Sequence, residues 1–148
     1  MADPTFKTLL YQRDAKDSHI IHLVLNRPEK SNAISIGPGE MTDEIRQAME
    51  AISRDETVKV VILKGNGRNF SAGFDLSMVY RVYGGSPTIK PPQGVRLQVD
   101  YDHVMGLPRF VQNCSKVVIA QIHGWCIEAA IFMVEHADIA VAANNSRF

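Results

Sequence analysis

His19-Ile-Ile-His-Leu-Val-Leu25 is apolar on both faces and rich in β-branched residues, the pattern of a strand covered on both sides. It ends at Asn26-Arg-Pro-Glu-Lys30, because Pro28 cannot donate a ladder hydrogen bond. Beyond the Gly37-Pro38-Gly39 punctuation, Met41, Ile45, Met49 and Ile52 recur at spacings of four, four and three, which makes them one stripe of an amphipathic helix. Val58-Lys-Val-Val-Ile-Leu63 predicts a second strand, turned out by Gly65-Asn-Gly67. Val117-Val-Ile-Ala-Gln-Ile122 predicts a third strand, and Asp138-Ile-Ala-Val-Ala142 a fourth, with a turn at His123-Gly124 and a short helix over about 128–135 between them. Between the second and third strands, Val104, Leu107 and Val111 keep helical spacing within a stretch from Val95 to about Asn113, where Pro108 is expected to kink or divide the helix. Gly84-Gly-Ser-Pro87 and Pro91-Pro-Gln-Gly94 mark residues 79–94 as a mobile surface insertion. Strands alternating with helices define an α/β fold with mostly parallel pairing.

Composition narrows the function. A chain of 148 residues with 45% hydrophobic and 22% charged residues is one globular domain, expected over residues 1–148, and can bury roughly 70% of its unfolded surface. Lysine plus arginine equals aspartate plus glutamate at 16 each, and the basic residues are scattered, so a nucleic-acid partner is not expected. No apolar run approaches the ~20 residues that span a bilayer, and the first residues have neither the basic nor the apolar region of a signal peptide. The expectation is a protein with no membrane partner, working in the cytoplasm. Cys114 and Cys126 lie outside Cys-x-x-Cys and zinc-ligand spacings, which fits a reducing compartment and points to no metal. His19 and His22, three apart on a strand, face opposite ways and cannot share one.

Three segments sharpen the reading. Leu25-Asn-Arg-Pro-Glu-Lys-Ser-Asn-Ala-Ile34, Phe70-Ser-Ala-Gly-Phe-Asp-Leu76, and Lys116-Val-Val-Ile-Ala-Gln-Ile-His-Gly124 followed by Ala137-Asp-Ile-Ala-Val-Ala-Ala143, resemble the enoyl-CoA hydratase/isomerase (crotonase) superfamily in order and separation. The resemblance implies a spiral of repeated strand-strand-helix units that binds acyl-CoA thioesters, of which this chain would be the N-terminal part. It also implies assembly as a homo-trimer or hexamer, and no cofactor beyond the coenzyme A carried by the substrate. Two backbone N–H groups would meet the thioester oxygen, here those of Phe74 and Ala129. Polarising that carbonyl stabilises the enolate formed when a proton or nucleophile is added or removed nearby. Taken alone, Ser71-Ala-Gly-Phe74 would be a loop needing Gly73 for a left-handed turn. Ala72, Gly73, Asp75 and Leu76 belong to the same substrate loop by resemblance, and Met78, Val79 and Tyr80 beside it are candidates for the acyl pocket or for plain packing. Lys30 and Asn32 fall in the segment that the resemblance places by the CoA nucleotide, where Lys30 could meet a phosphate or simply be solvated.

The departures from the pattern are as informative. Many members of the superfamily carry three glycines where this chain has Glu128-Ala129-Ala130, and Ala129 can still offer its N–H if the backbone there needs no positive φ. Hydratases of the superfamily place one catalytic glutamate at the position of Phe132 and a second in the stretch that would follow Phe148. Phe132 is therefore expected to line the substrate site without moving a proton. Glu128, one helical turn before Phe132, is the nearest carboxylate: either an acid/base, or a solvated or capping residue of the first turn. Ionised beside the oxygen, it would oppose enolate formation. Two functions remain open on the sequence: an enzyme that hydrates or isomerises an enoyl-CoA, and a catalytically impaired relative that binds CoA or serves as an assembly subunit. A serine hydrolase is disfavoured, because no serine sits in a nucleophile turn with a placed histidine.

Overall fold

The structure is a computed structural model and describes residues 3–84 and 90–148. Five strands form one sheet in chain order: β1 (Leu9–Arg13), β2 (Ile20–Leu25), β3 (Val60–Gly65), β4 (Val117–Ile122) and β5 (Ile139–Ala142). β1 and β2 make an antiparallel hairpin, and the other three pairings are parallel. Each parallel step requires a crossover, which helices supply. The crossovers are α1 (Met41–Arg54), then α2 (Leu76–Tyr83), α3 (Gln93–Val99) and α4 (Gly106–Gln112) between β3 and β4, and α5 (Ala129–Glu135) before β5.

The register explains the core. Ile21, Val61 and Val118 are partners across three strands, as are Leu23, Leu63 and Ala120. All six are buried, and they meet the α1 stripe of Met41, Ile45, Met49 and Ile52, together with Leu107, Val111 and Met133. The helices thus cover one face only. On the other face Val24 is buried, His22, Ile62 and Ile119 are half-buried and Gln121 is exposed, so β2 is covered fully on one side and only in part on the other. β1, which carries no strong pattern of its own, owes its place to β2 and to Glu44 of α1, whose carboxylate accepts the N–H groups of Lys7 (2.9 Å) and Thr8 (2.8 Å).

The region between β3 and β4 differs from its sequence reading. Residues 79–83 are the second half of α2 and Gln93-Gly94 open α3; residues 85–89 of the expected 79–94 insertion lie outside the described residues. The long helix divides at a π-helical turn over Asp100–Val104, where Met105 N–H reaches the Asp100 carbonyl (2.7 Å), and not at Pro108. Pro108 sits in the first turn of α4, where its missing N–H costs nothing. No helix among the described residues is long and apolar enough to cross a membrane.

Past β2, β3, β4 and β5 the chain lays down a second row of short extended pieces. Ile34 bridges Phe74, Ser71 bridges Cys126, and Trp125 bridges Arg147, all in parallel. Each turn therefore contributes a strand to the sheet and a segment to this second row before entering the next helix or loop, which is the expected strand-strand-helix unit. Asn32 locks the first two turns together. It is wholly buried at φ 54°, and its side-chain oxygen accepts Arg27 N–H (2.9 Å) while its amide serves the carbonyls of Asn66 (2.8 Å), Asn69 (2.9 Å) and Phe70 (3.2 Å). Asp75 fastens the same two segments by charge. Its carboxylate caps α2 through Ser77 N–H (3.2 Å) and pairs with Arg27 (3.0 Å) and Lys30 (3.4 Å). Burial pushes this carboxyl up, but Ser77, Arg27 and Lys30 outweigh burial and hold it at about 2.

Two outcomes follow. Asn32→Ala strands several buried backbone groups and places alanine at a left-handed φ, so urea titration should show a loss of about 3 kcal/mol; a loss under about 1 kcal/mol would remove the clamp. Asp75 ionises at about 2 when folded against an ordinary 3.8, so its contribution is complete above pH 4 and disappears as pH falls from about 4 to 2. Stability measured over that interval should fall less steeply in Asp75→Asn than in the parent, by about 2 kcal/mol in total. Parallel pH curves would show that Asp75 is not held as described.

Candidate functional site

The loop between β3 and α2 is shaped by what lies behind it. Phe70 and Phe74 bury their rings in the core, so the backbone between them is pinned at both ends. Ser71 lies in the second row, taking the Ile127 N–H (3.1 Å) and giving its own N–H to Trp125 (3.0 Å). Its hydroxyl donates to the Asn32 carbonyl (2.8 Å) and accepts Gly73 N–H (3.2 Å). Gly73 is required twice over: its φ is +81°, and a Cβ there would stand 2.8 Å from the Ile127 carbonyl oxygen and 2.7 Å from Glu128 Oε2. This close approach brings Phe74 N–H to Glu128 Oε2 at 2.9 Å.

Glu128 reaches that position through an unusual backbone. With φ 51° and ψ −114° it occupies the first central position of a type II′ turn, closed by Ala130 N–H on the Ile127 carbonyl (3.1 Å). That position is ordinarily glycine, and a side chain there costs about 1–3 kcal/mol. The positive φ falls on Glu128, so Ala129 meets the condition set from the sequence. Ala129 is buried at the start of α5, and its N–H finds no acceptor among the described residues. Phe74 N–H is thus within one glutamate side chain's reach of the Ala129 nitrogen. Glu128 does not cap its own helix; its carboxylate spends itself on the facing loop.

The other expected residues spread around this point. Ala72 is exposed beside it, Asp75 is buried in its ion pairs, Leu76 and Tyr80 are exposed on α2, and Met78 and Val79 are half-buried. Phe132 follows Glu128 by one turn of α5, its N–H directed at the Glu128 carbonyl (3.4 Å), and the residue is 44% exposed. Lys30 extends toward solvent with its ammonium near Asp75. Asn32, expected beside a nucleotide, has its whole side chain committed to backbone groups and is buried. The geometry adds Arg27, Ser71 and Asn69, which scaffold the loop. Asn69 receives Trp125 N–H (3.0 Å) and donates to Ser31 (3.1 Å). All three lie within or beside the quoted segments, yet nothing in their spacing signals which way their side chains turn.

The remaining titratable groups stand apart. A pocket of about 650 Å³ lies between α1 and α4 against Asp43, Arg46, Tyr101, His103 and Arg109, and takes no wall from residues 70–78 or 123–132. His103 bonds Thr42 (3.2 Å) and burial holds it below its ordinary value. His123 contacts the Gly67 carbonyl (2.9 Å) and shapes the turn. Burial pushes the Cys126 thiol up to about 11, which makes it inert. Among the described residues no group of three potential metal ligands forms.

Comparison with known proteins agrees with this arrangement. Residues 15–148 match the family described as Enoyl-CoA hydratase/isomerase. The chain is 28% identical over its full length to a peroxisomal Delta(3,5)-Delta(2,4)-dienoyl-CoA isomerase of Arabidopsis thaliana, covering 53% of that protein. It is 32% identical over 88% of its length to a mevalonyl-coenzyme A hydratase of Aspergillus fumigatus, covering 43% of it. It superimposes on the crystal structure of an enoyl-CoA hydratase/isomerase from Xanthobacter autotrophicus Py2 with a TM-score of 0.72 at 31% identity, covering 96% of this chain and 48% of the other. The chain spans about half the length of the curated relatives it matches. With the spiral of paired strands and the Gly73 loop facing the start of α5, the match over residues 15–148 leads to one conclusion: the chain belongs to the enoyl-CoA hydratase/isomerase family.

Proposed function

We propose that this chain binds an acyl-CoA thioester and stabilises its enolate for hydration or isomerisation of an enoyl-CoA, with Phe74 and Ala129 N–H as the oxyanion donors. The observation that carries the reading is the carboxylate oxygen at 2.9 Å from Phe74 N–H. It stands in for the negative oxygen of an enolate, and its presence means that the Gly73 loop accepts an anionic oxygen without rearrangement. One such donor contributes ~10²–10³ in rate. The relatives named above as dienoyl-CoA isomerase and mevalonyl-coenzyme A hydratase support the substrate class. Lys30, whose side chain is half exposed, is assigned to the CoA phosphates, and Ala72, Leu76 and Met78 to the pantetheine and acyl group. The chemistry calls for no cofactor beyond the coenzyme A of the substrate.

The exposed apolar residues Trp125, Ile127, Ile139, Val141 and Phe148 are assigned to assembly with further copies, as a trimer or hexamer. The free thiols of Cys114 and Cys126 fit the reducing cytoplasm. A second reading rests on Phe132. A phenyl ring moves no proton, so a chain that binds CoA without turning it over, as a binding or assembly subunit, also fits this helix.

Calorimetric titration of the 148-residue chain decides the substrate class. Crotonyl-CoA should bind at least about tenfold more tightly than crotonate, because the nucleotide and pantetheine add contacts remote from the reacting carbon; equal affinity would sink the CoA assignment. Hydration of crotonyl-CoA should be slow, since a positioned acid or base is worth ~10²–10⁴. Phe132→Glu should raise the rate about tenfold or more by supplying one carboxylate. Binding with no turnover in either protein would favour the subunit reading.

A further inference from the structure

Glu128 is at once strained, charged and engaged. Its backbone sits at φ 51° and ψ −114°, where glycine is the relaxed choice, and its carboxylate takes Phe74 N–H at 2.9 Å. A solvated glutamate has no reason to hold such a conformation, and this one makes no capping bond within α5. Among the described residues the strain is retained against a single side-chain polar return, the bond to Phe74 N–H. Gly73 has no side chain and leaves the space for that oxygen, since its own Cβ would stand 2.7 Å away.

From this we infer that Glu128 is a built-in competitor for the oxyanion donor, an autoinhibitory contact that an acyl-CoA must displace before its carbonyl can reach Phe74. The inference rests on the acyl-CoA reading of the site. A hydrogen bond to a carboxylate is roughly twice as strong as one to a neutral carbonyl, so the internal ligand holds the donor against a thioester until the pantetheine and nucleotide contribute their own contacts. Left in place, the charge would also repel the enolate oxygen. Displaced, the glutamate swings out through the exposed side of α5, where residue 128 already faces solvent. The contact therefore discriminates against small thioesters with few remote contacts.

The test compares the parent chain with Glu128→Gly and Glu128→Gln. Glycine fits the positive φ and removes the competitor; glutamine keeps the length and the strain but loses the charge. The Phe74 amide proton, followed by NMR without ligand, should move upfield in both variants as the carboxylate is lost. In calorimetry, Glu128→Gly should bind crotonyl-CoA about tenfold or more tightly than the parent, with Glu128→Gln between them. Free CoA, which has no thioester carbonyl, should bind all three proteins alike. An unmoved Phe74 amide, or crotonyl-CoA binding of equal strength in all three, would overturn the inference while leaving the acyl-CoA reading intact. Failure of all three proteins to bind either crotonyl-CoA or CoA would overturn both. Equal tightening toward CoA and crotonyl-CoA would show that the glutamate obstructs the nucleotide path and does not compete at Phe74, which also overturns it.

Discussion

The buried carboxamide of Asn32 is the constraint on which the site depends. A primary amide in a dry interior is costly unless it is fully bonded, and this one is bonded to four backbone groups on two segments. Because those partners belong to the turn after β2 and to the chain leaving β3, satisfying Asn32 fixes one relative to the other. Ser71, Gly73 and Phe74 then have no freedom in height or direction. The ion pairs of Arg27 and Lys30 with Asp75 act on the same joint, the Arg27 pair shielded from solvent and the Lys30 pair weakened by it. Hydrophobic burial holds the sheet to α1 and α4; polar satisfaction positions the loop.

That joint meets the segment leading into α5 through backbone bridges, the bond of Trp125 N–H to Asn69 and the Glu128 carboxylate. The second row of bridges carries Ser71 to Cys126 and Trp125 to Arg147, so the start of α5 is delivered to the Gly73 loop by the same spiral repeat that builds the sheet. Phe74 N–H and the start of α5 lie on different turns of chain, and a backbone N–H that its own segment leaves without a partner takes an acceptor from elsewhere. In this chain the oxygen comes from Glu128. The backbone strain at residue 128 and the occupation of Phe74 N–H are two aspects of one substitution at a turn position that favours glycine.

The fold was legible wherever apolar residues run together or recur with a period. The strands β2, β3 and β4 follow from short apolar, β-branched runs, and the α1 stripe from its spacing, because burial of one helix face imposes that spacing directly. β1 was not legible, since an edge strand with half-exposed residues shows no strong pattern and is held by its partner. The stretch 79–94 was read as an insertion, whereas 79–83 are helical and Gly84 and Pro92 only bound α2 and α3; the π-helical turn before Pro108 arises from hydrogen-bond registers that spacing does not encode.

For the site, the sequence by itself determined which backbone groups were candidates. Gly73 must be glycine wherever φ is positive and backbone approaches closely, and the three quoted segments named Phe74 and Ala129. The sequence also determined that Phe132 moves no proton. Only the tertiary structure decided what Asn32 and Glu128 do. Both are polar side chains that bond to groups tens of residues away, so each had a local reading that was chemically sound: Asn32 as a ligand contact, Glu128 as a solvated first-turn acid. Local chemistry lists what a side chain can bond to, whereas long-range packing selects the partner. Asn32 is turned inward because the β3 exit needs its donors, and Glu128 is turned across because a II′ turn aims it at the loop that Gly73 keeps open.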